Sequence, residues 1–81
     1  MGYHIRKIQK GHYGEVSKIR EELEELEDAL EQDNIIMALV ELSDMFGAME
    51  AYIENHFGMD MSDLQIMSDA TKRAFKDGNR E

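Results

Sequence analysis

The chain contains no cysteine, no proline and no tryptophan. Without cysteine there is neither a disulfide framework nor a thiolate metal site. The absence of proline suits a mostly helical chain. Long apolar runs are missing too, because Glu41, Asp44 and Glu50 break the most hydrophobic stretch. That leaves no signal-like segment and no membrane span, so the cytoplasm is the expected compartment and no membrane partner is expected. The most telling shortage is of positive charge. Residues 21–69 carry fifteen Asp or Glu and no Lys or Arg. Such a surface repels phosphate backbones, which excludes a nucleic-acid interface built on it, and it repels free nucleotides unless metal ions intervene. The basic residues sit at the ends, five against one acid in residues 1–20 and four against two in residues 70–81, for a formal net charge of −9.

Eighty-one residues make one small domain whose own core is marginal, so burial shared with another copy is expected. Val16, Ile19, Leu23, Leu26 and Leu30 recur at helical spacing and predict a first helix over about 15–31 with these residues as its buried seam. Glu21, Glu24, Glu27, Asp28 and Glu31 fall away from that seam and read as a solvated face. Gln32-Asp33-Asn34 is a turn, with Asp33 or Asn34 capping a second helix over about 35–55 that ends before Gly58. Ser62 and Gln65 form a capping box that opens a third helix, which buries Leu64, Met67, Ala70, Thr71, Ala74 and Phe75 and stops near Gly78. Residues 1–14 form an arm, helical or extended around Tyr3, Ile5 and Ile8, with Gly11 and Gly14 as breaks. The domain spans 15–78 and a loose tail covers 79–81. The expected fold class is all-α: a helical hairpin plus a third helix, two protomers forming a bundle of four or more helices, as a homodimer or tetramer.

Two acid pairs stand in matching positions nineteen residues apart. Glu22 and Glu25 precede Ala29; Glu41 and Asp44 precede Ala48. The second helix is apolar around most of its circumference, with a polar strip of Ser43, Gly47, Glu50 and Glu54. Glu41 and Asp44 lie off that strip, among Met37, Val40, Ala48 and Ala51. Unpaired carboxylates buried there would cost on the order of several kcal/mol each. Two such helices face to face bring four carboxylates together, and like charges so crowded persist mainly when a cation binds them. Oxygen-only ligands suit Mg²⁺ or Mn²⁺ rather than zinc.

Glu21-Glu22-Leu23-Glu24-Glu25, followed after fifteen residues by Glu41-Leu42-Ser43-Asp44, resembles the E-E-x-x-E and E-x-x-D signature of the all-α nucleoside triphosphate pyrophosphohydrolases, the MazG-like group. The resemblance covers about residues 15–55, and more weakly Asp69–Phe75, where that family often places a basic, phosphate-contacting helix. It implies Mg²⁺-dependent cleavage of a nucleoside triphosphate to the monophosphate and pyrophosphate. It also implies that Glu22, Glu25, Glu41 and Asp44 ligate the metal, with one of the four or a neighbour orienting the attacking water. The family has no P-loop, and none is present here.

Lys72 and Lys76, with Arg80 beyond them, follow i, i+4 spacing and either meet a phosphate tail or merely solubilise the surface. Lys18, one turn before Glu22, either holds a phosphate or pairs with that acid. Tyr13 and Phe46 are candidates for stacking on a base. His4, His12 and His56 share no metal-ligand spacing and read as surface or turn residues. Two other functions fit the same residues: a non-catalytic helical interaction module with structural acids, and a phosphohydrolase of another nucleotide such as phosphoribosyl-ATP or an alarmone.

Overall fold

The structure is a computed structural model that describes residues 4–76. The expected tail at 79–81, the stop near Gly78, Tyr3 and Arg80 lie outside the described residues. Three helices follow in order: α1 (Val16–Glu31), α2 (Ile35–Phe57) and α3 (Met61–Lys76). The turn between α1 and α2 works as its residues dictate. Asp33 takes a left-handed conformation (φ 54°), Asn34 N–H donates to Ala29 O, and Asn34 Oδ1 accepts the orphan N–H of Met37 at 3.1 Å. Gly58, also left-handed (φ 62°), closes α2, with Met59 N–H returning to Ile53 O. The third helix opens two residues earlier than the expected Ser62–Gln65 box. Asp60 Oδ1 accepts from Asp63 N–H while Asp63 Oδ2 accepts from Asp60 N–H, both at 3.1 Å. This is the same reciprocal logic carried by two aspartates. No helix among the described residues is long and apolar enough to cross a membrane.

The hairpin of α1 on α2 is the one extensive helix–helix packing among the described residues. Its interface is not the predicted one. Val16, Leu23 and Leu30 of the expected seam are exposed, whereas Glu22 and Ala29 are buried against the side where α2 buries Ala38, Glu41, Ala48 and Ala51. At about 100° per residue the buried face of α1 lies roughly a quarter turn round from its leucine stripe. The fully apolar core is therefore four alanines. Alanine has almost no side chain, so the backbones approach closely and the carboxylates between them are enclosed. The stripe Ile35, Leu39, Leu42, Phe46 on α2 is left exposed in the same way. Nor does α3 bury the residues expected of it. None of its residues is buried, Met67 and Phe75 are exposed, and it meets α2 around a cavity lined by Ile53, Phe57, Met59, Leu64 and Met67. The radius of gyration is 14.8 Å, against roughly 12 Å for a compact chain of this length.

Part of the face of α1 that reads as solvated is covered by the arm, while Glu27 and Glu31 on it are exposed as expected. Asp28 has no exposed surface and Glu21 only 3%. The arm runs antiparallel to α1: His4 and Ile5 meet Asp28, Arg6 pairs with Glu27 and Glu31, and Gly11 N–H donates to Glu21 Oε1 at 2.8 Å. Opposite charge brings the two together, with Arg6 and Lys10 of the arm set against acids of α1. Asn55 Nδ2 ties the end of the arm to α2 through Gly14 O.

Gly11 makes this docking testable. A Cβ there would lie 2.2 Å from Ser17 O and 2.5 Å from Lys18 N, both backbone atoms of α1. Gly11→Ala should therefore destabilise the fold by about 1–3 kcal/mol, the usual cost of forced overpacking. Urea unfolding reads it, and an unchanged midpoint would mean that the arm does not pack on α1.

Candidate metal centre

Each candidate carboxylate is positioned by a helix phase. On α1, Glu22, Glu25 and Ala29 share the flank turned to α2; on α2, Glu41 and Asp44 share the flank with Ala48. The hairpin brings all four acids together. Carboxylate oxygens of Glu22, Glu41 and Asp44 lie within 4.8 Å of one another, and so do oxygens of Glu21, Glu22 and Glu25. Glu22 and Glu41 are 4% and 3% exposed, while Asp44 stands at the open edge. Glu22 Oε1 is buried with no hydrogen-bond partner among the described residues. An orphaned carboxylate oxygen inside a ring of others is what a bound cation would satisfy, so this group could hold a metal ion.

The electrostatics agree with crowding. Burial, then the charge of Glu22 and the neighbouring Glu41, push Glu25 up to about 8. Burial also raises Glu22, against the opposing pull of Lys18, and burial followed by the Glu41 charge raises Asp44. Glu21 and Asp28 move the other way. Burial would raise both, but Gly11 N–H and Lys18 hold Glu21 low, and His4 and Ile5 N–H hold Asp28 low. Hydrogen bonds from protein partners thus hold Glu21 and Asp28 low, whereas burial and neighbouring like charge raise Glu22, Glu25 and Asp44.

Lys18 sits at the rim with Nζ 3.2 Å from both Glu22 Oε2 and Glu21 Oε1. Beside it opens a cleft of about 330 Å³ lined by Tyr13, Lys18, Glu22, Ser43, Asp44, Gly47 and Ala48. Nothing stands within 4 Å of where a Gly47 Cβ would be, which makes Gly47 part of the opening. Tyr13 is largely exposed at the same mouth. Lys72 and Lys76 are exposed on α3 and line neither this cleft nor the cluster. Phe46 is exposed on the apolar stripe, away from the cleft lining.

The expectation that His4 is a surface or turn residue is corrected. Its side chain is 9% exposed, and it approaches Asp28, Glu41 and Glu25. Helical periodicity carries no information about a residue outside the helices. The usable signal was the match between the basic arm and the acidic face of α1.

The sign of the pH dependence follows from the raised acids. An acid whose folded-state pKa is raised stabilises the fold fully below its unfolded value near 4.5, and that stabilisation is lost as pH climbs toward about 8. The metal-free protein should therefore melt at a higher temperature at pH 5.5 than at pH 8.5, and Glu25→Gln should flatten that slope. Added Mn²⁺ should raise the melting temperature most at the alkaline end, where protons compete least. A melting temperature that falls on acidification over this range, in wild type and E25Q alike, would show that the cluster is not crowded. No family model, no curated protein and no solved structure matches this chain.

Proposed function

We propose that this protein is a divalent-metal-dependent nucleoside triphosphate pyrophosphohydrolase, converting a nucleoside triphosphate and water to the monophosphate and pyrophosphate. The observation that carries the reading is the four-carboxylate cluster of Glu22, Glu25, Glu41 and Asp44, of which Glu22 and Asp44 line the Tyr13–Lys18 cleft. The resemblance of the two acid motifs to the MazG-like group gives the reaction its direction. Bound Mg²⁺ or Mn²⁺ would neutralise phosphate charge and acidify a water. Glu22, Glu25, Glu41 and Asp44 would hold the ion, and a carboxylate of this set would accept the proton of the attacking water. Lys18, which pairs with Glu21 and Glu22, would meet a phosphate oxygen at the rim, and Tyr13 would offer a flat surface for a base. In the bond that breaks, water oxygen adds to the α-phosphorus and the α–β bridging oxygen leaves with pyrophosphate. Lys72 and Lys76 belong to this reading only if a second copy brings its α3 to the cleft.

A second copy is part of the same proposal. Leu23 and Leu30 on α1 and Leu39, Leu42 and Phe46 on α2 are between 45% and 63% exposed. Fully burying such side chains contributes about 1.5–3 kcal/mol each. Helical phase turns both stripes to the same side of the hairpin, so two hairpins packed there make a four-helix bundle. The same stripes favour the second reading, a helical interaction module, if no nucleotide is turned over. Sedimentation at micromolar concentration should give a dimer or tetramer, and Leu42→Glu should dissociate it. A stable wild-type monomer would remove the bundle.

With Mg²⁺ present, phosphorus NMR should detect pyrophosphate and a nucleoside monophosphate as primary products. Glu41→Gln or Asp44→Asn should lower turnover by about a hundredfold or more while helicity is kept, whereas Glu27→Gln should do little. Orthophosphate with a nucleoside diphosphate would point to a different phosphohydrolase. No turnover across a nucleotide panel would leave the interaction module.

A further inference from the structure

The arm carries an imidazole into the carboxylate cluster. His4 Nδ1 lies 2.7 Å from Asp28 Oδ2, and its Nε2 lies 3.6 Å from Glu41 Oε2 and 3.9 Å from Glu25 Oε2. Asp28 is completely buried, and its Oδ2 also accepts from Ile5 N–H at 3.1 Å and Gln32 Nε2 at 3.2 Å. Three donors converging on one oxygen keep that carboxylate anionic, so the His4 ring donates to it through Nδ1–H. In the neutral ring the Nε2 lone pair then faces two carboxylate oxygens. That arrangement is repulsive unless a proton or a metal ion lies between them. A buried carboxylate on one ring nitrogen is the usual device for aiming the other at a metal.

Two further observations fit. Nε2 of His4 and one oxygen each of Glu25 and Glu41 lie within 4.8 Å of one another, a spacing that small side-chain movements bring onto a single ion. A cleft of about 200 Å³, lined by His4, Arg6, Ile8, Lys10 and Glu25, gives this side its own access from solvent. The adjoining group of Glu22, Glu41 and Asp44 shares Glu41 and contains the buried, partnerless Glu22 Oε1.

We propose that His4 Nε2, Glu25 and Glu41 form a mixed nitrogen–oxygen metal sub-site, with Asp28 as the residue that positions the imidazole. The proposal rests on the metal-binding part of the reading above and is independent of any nucleotide reaction. An imidazole ligand moves the sub-site's preference from Mg²⁺ toward Mn²⁺ and later first-row ions. The arm is then part of the metal site, not only a cover for α1.

Pulsed electron paramagnetic resonance of Mn²⁺ bound to the full chain tests it. The wild type should give ¹⁴N modulation that is replaced by ¹⁵N modulation on labelling histidine. His4→Gln should abolish it, whereas His12→Gln and His56→Gln should keep it. Calorimetry should find Mn²⁺ affinity weakened by about tenfold or more in H4Q, with a smaller loss for Mg²⁺. Mn²⁺ bound without nitrogen modulation, or modulation that survives in H4Q, overturns the sub-site while leaving a carboxylate site standing. Failure of Mn²⁺ to bind overturns both. Nitrogen-coordinated Mn²⁺ without nucleotide turnover supports the sub-site and overturns only the pyrophosphohydrolase reading.

Discussion

Two helices that pack on alanine and carboxylate, in place of leucine, are the constraint on which the rest of the structure depends. Ala29, Ala38, Ala48 and Ala51 let α1 and α2 approach closely, and the acids beside them are carried into the interface. Two like charges about 4 Å apart repel by about 4 kcal/mol at an effective dielectric of about 20. A domain is stable by only about 5–15 kcal/mol in total, so a fully ionised cluster of four would threaten the fold. Neutralisation is therefore built in. Lys18 supplies a cation at the rim, and Glu25 holds its proton up to about pH 8. A divalent cation would complete the balance, and it would displace the protons as it binds.

Charge segregation along the chain then becomes intelligible. The acidic middle needs cover, and the basic first segment provides it locally. Arg6 takes Glu27 and Glu31, Lys10 takes Glu21, and His4 takes Asp28. The exposed Arg6 pairs contribute little singly, about 0–1 kcal/mol. The arm is located instead by buried hydrogen bonds to Asp28 and Glu21, whose desolvated carboxylates would be costly without them. Once docked, the arm stands next to the cluster at one end and next to the cleft at Tyr13, so its register affects both.

The apolar stripes and the cleft occupy different flanks of the hairpin. Leu39, Leu42 and Phe46 lie on one flank of α2, with Asp44, Gly47 and Ala48 round the helix from them. Covering the stripes with another copy would leave the cleft open to solvent. Such a division suits a site that exchanges a charged ligand while its scaffold gains stability by association.

Much of the secondary structure was legible in the sequence because it is a local matter. Apolar periodicity, Asn34 as a cap and Gly58 as a stop act within a few residues, and α1 and α2 fall within about two residues of where they were expected. The four acids were legible for a related reason: the nineteen-residue echo puts equivalent residues at equivalent helix phases. Which face of α1 would be buried was not legible. Periodicity identifies an apolar stripe but does not say whether this chain or another covers it, and of the expected seam Val16, Leu23 and Leu30 are exposed here while Ile19 and Leu26 are half-buried. The burial of Glu21 and Asp28 and the entry of His4 into the cluster were decided by tertiary structure alone. They depend on contacts between residues 10–24 positions apart, across an arm that has no helical period. Sequence determined the helices and the acids they carry; the packing of the hairpin and the docking of the arm decided which of those acids the arm covers and which are gathered into groups that could hold a metal ion.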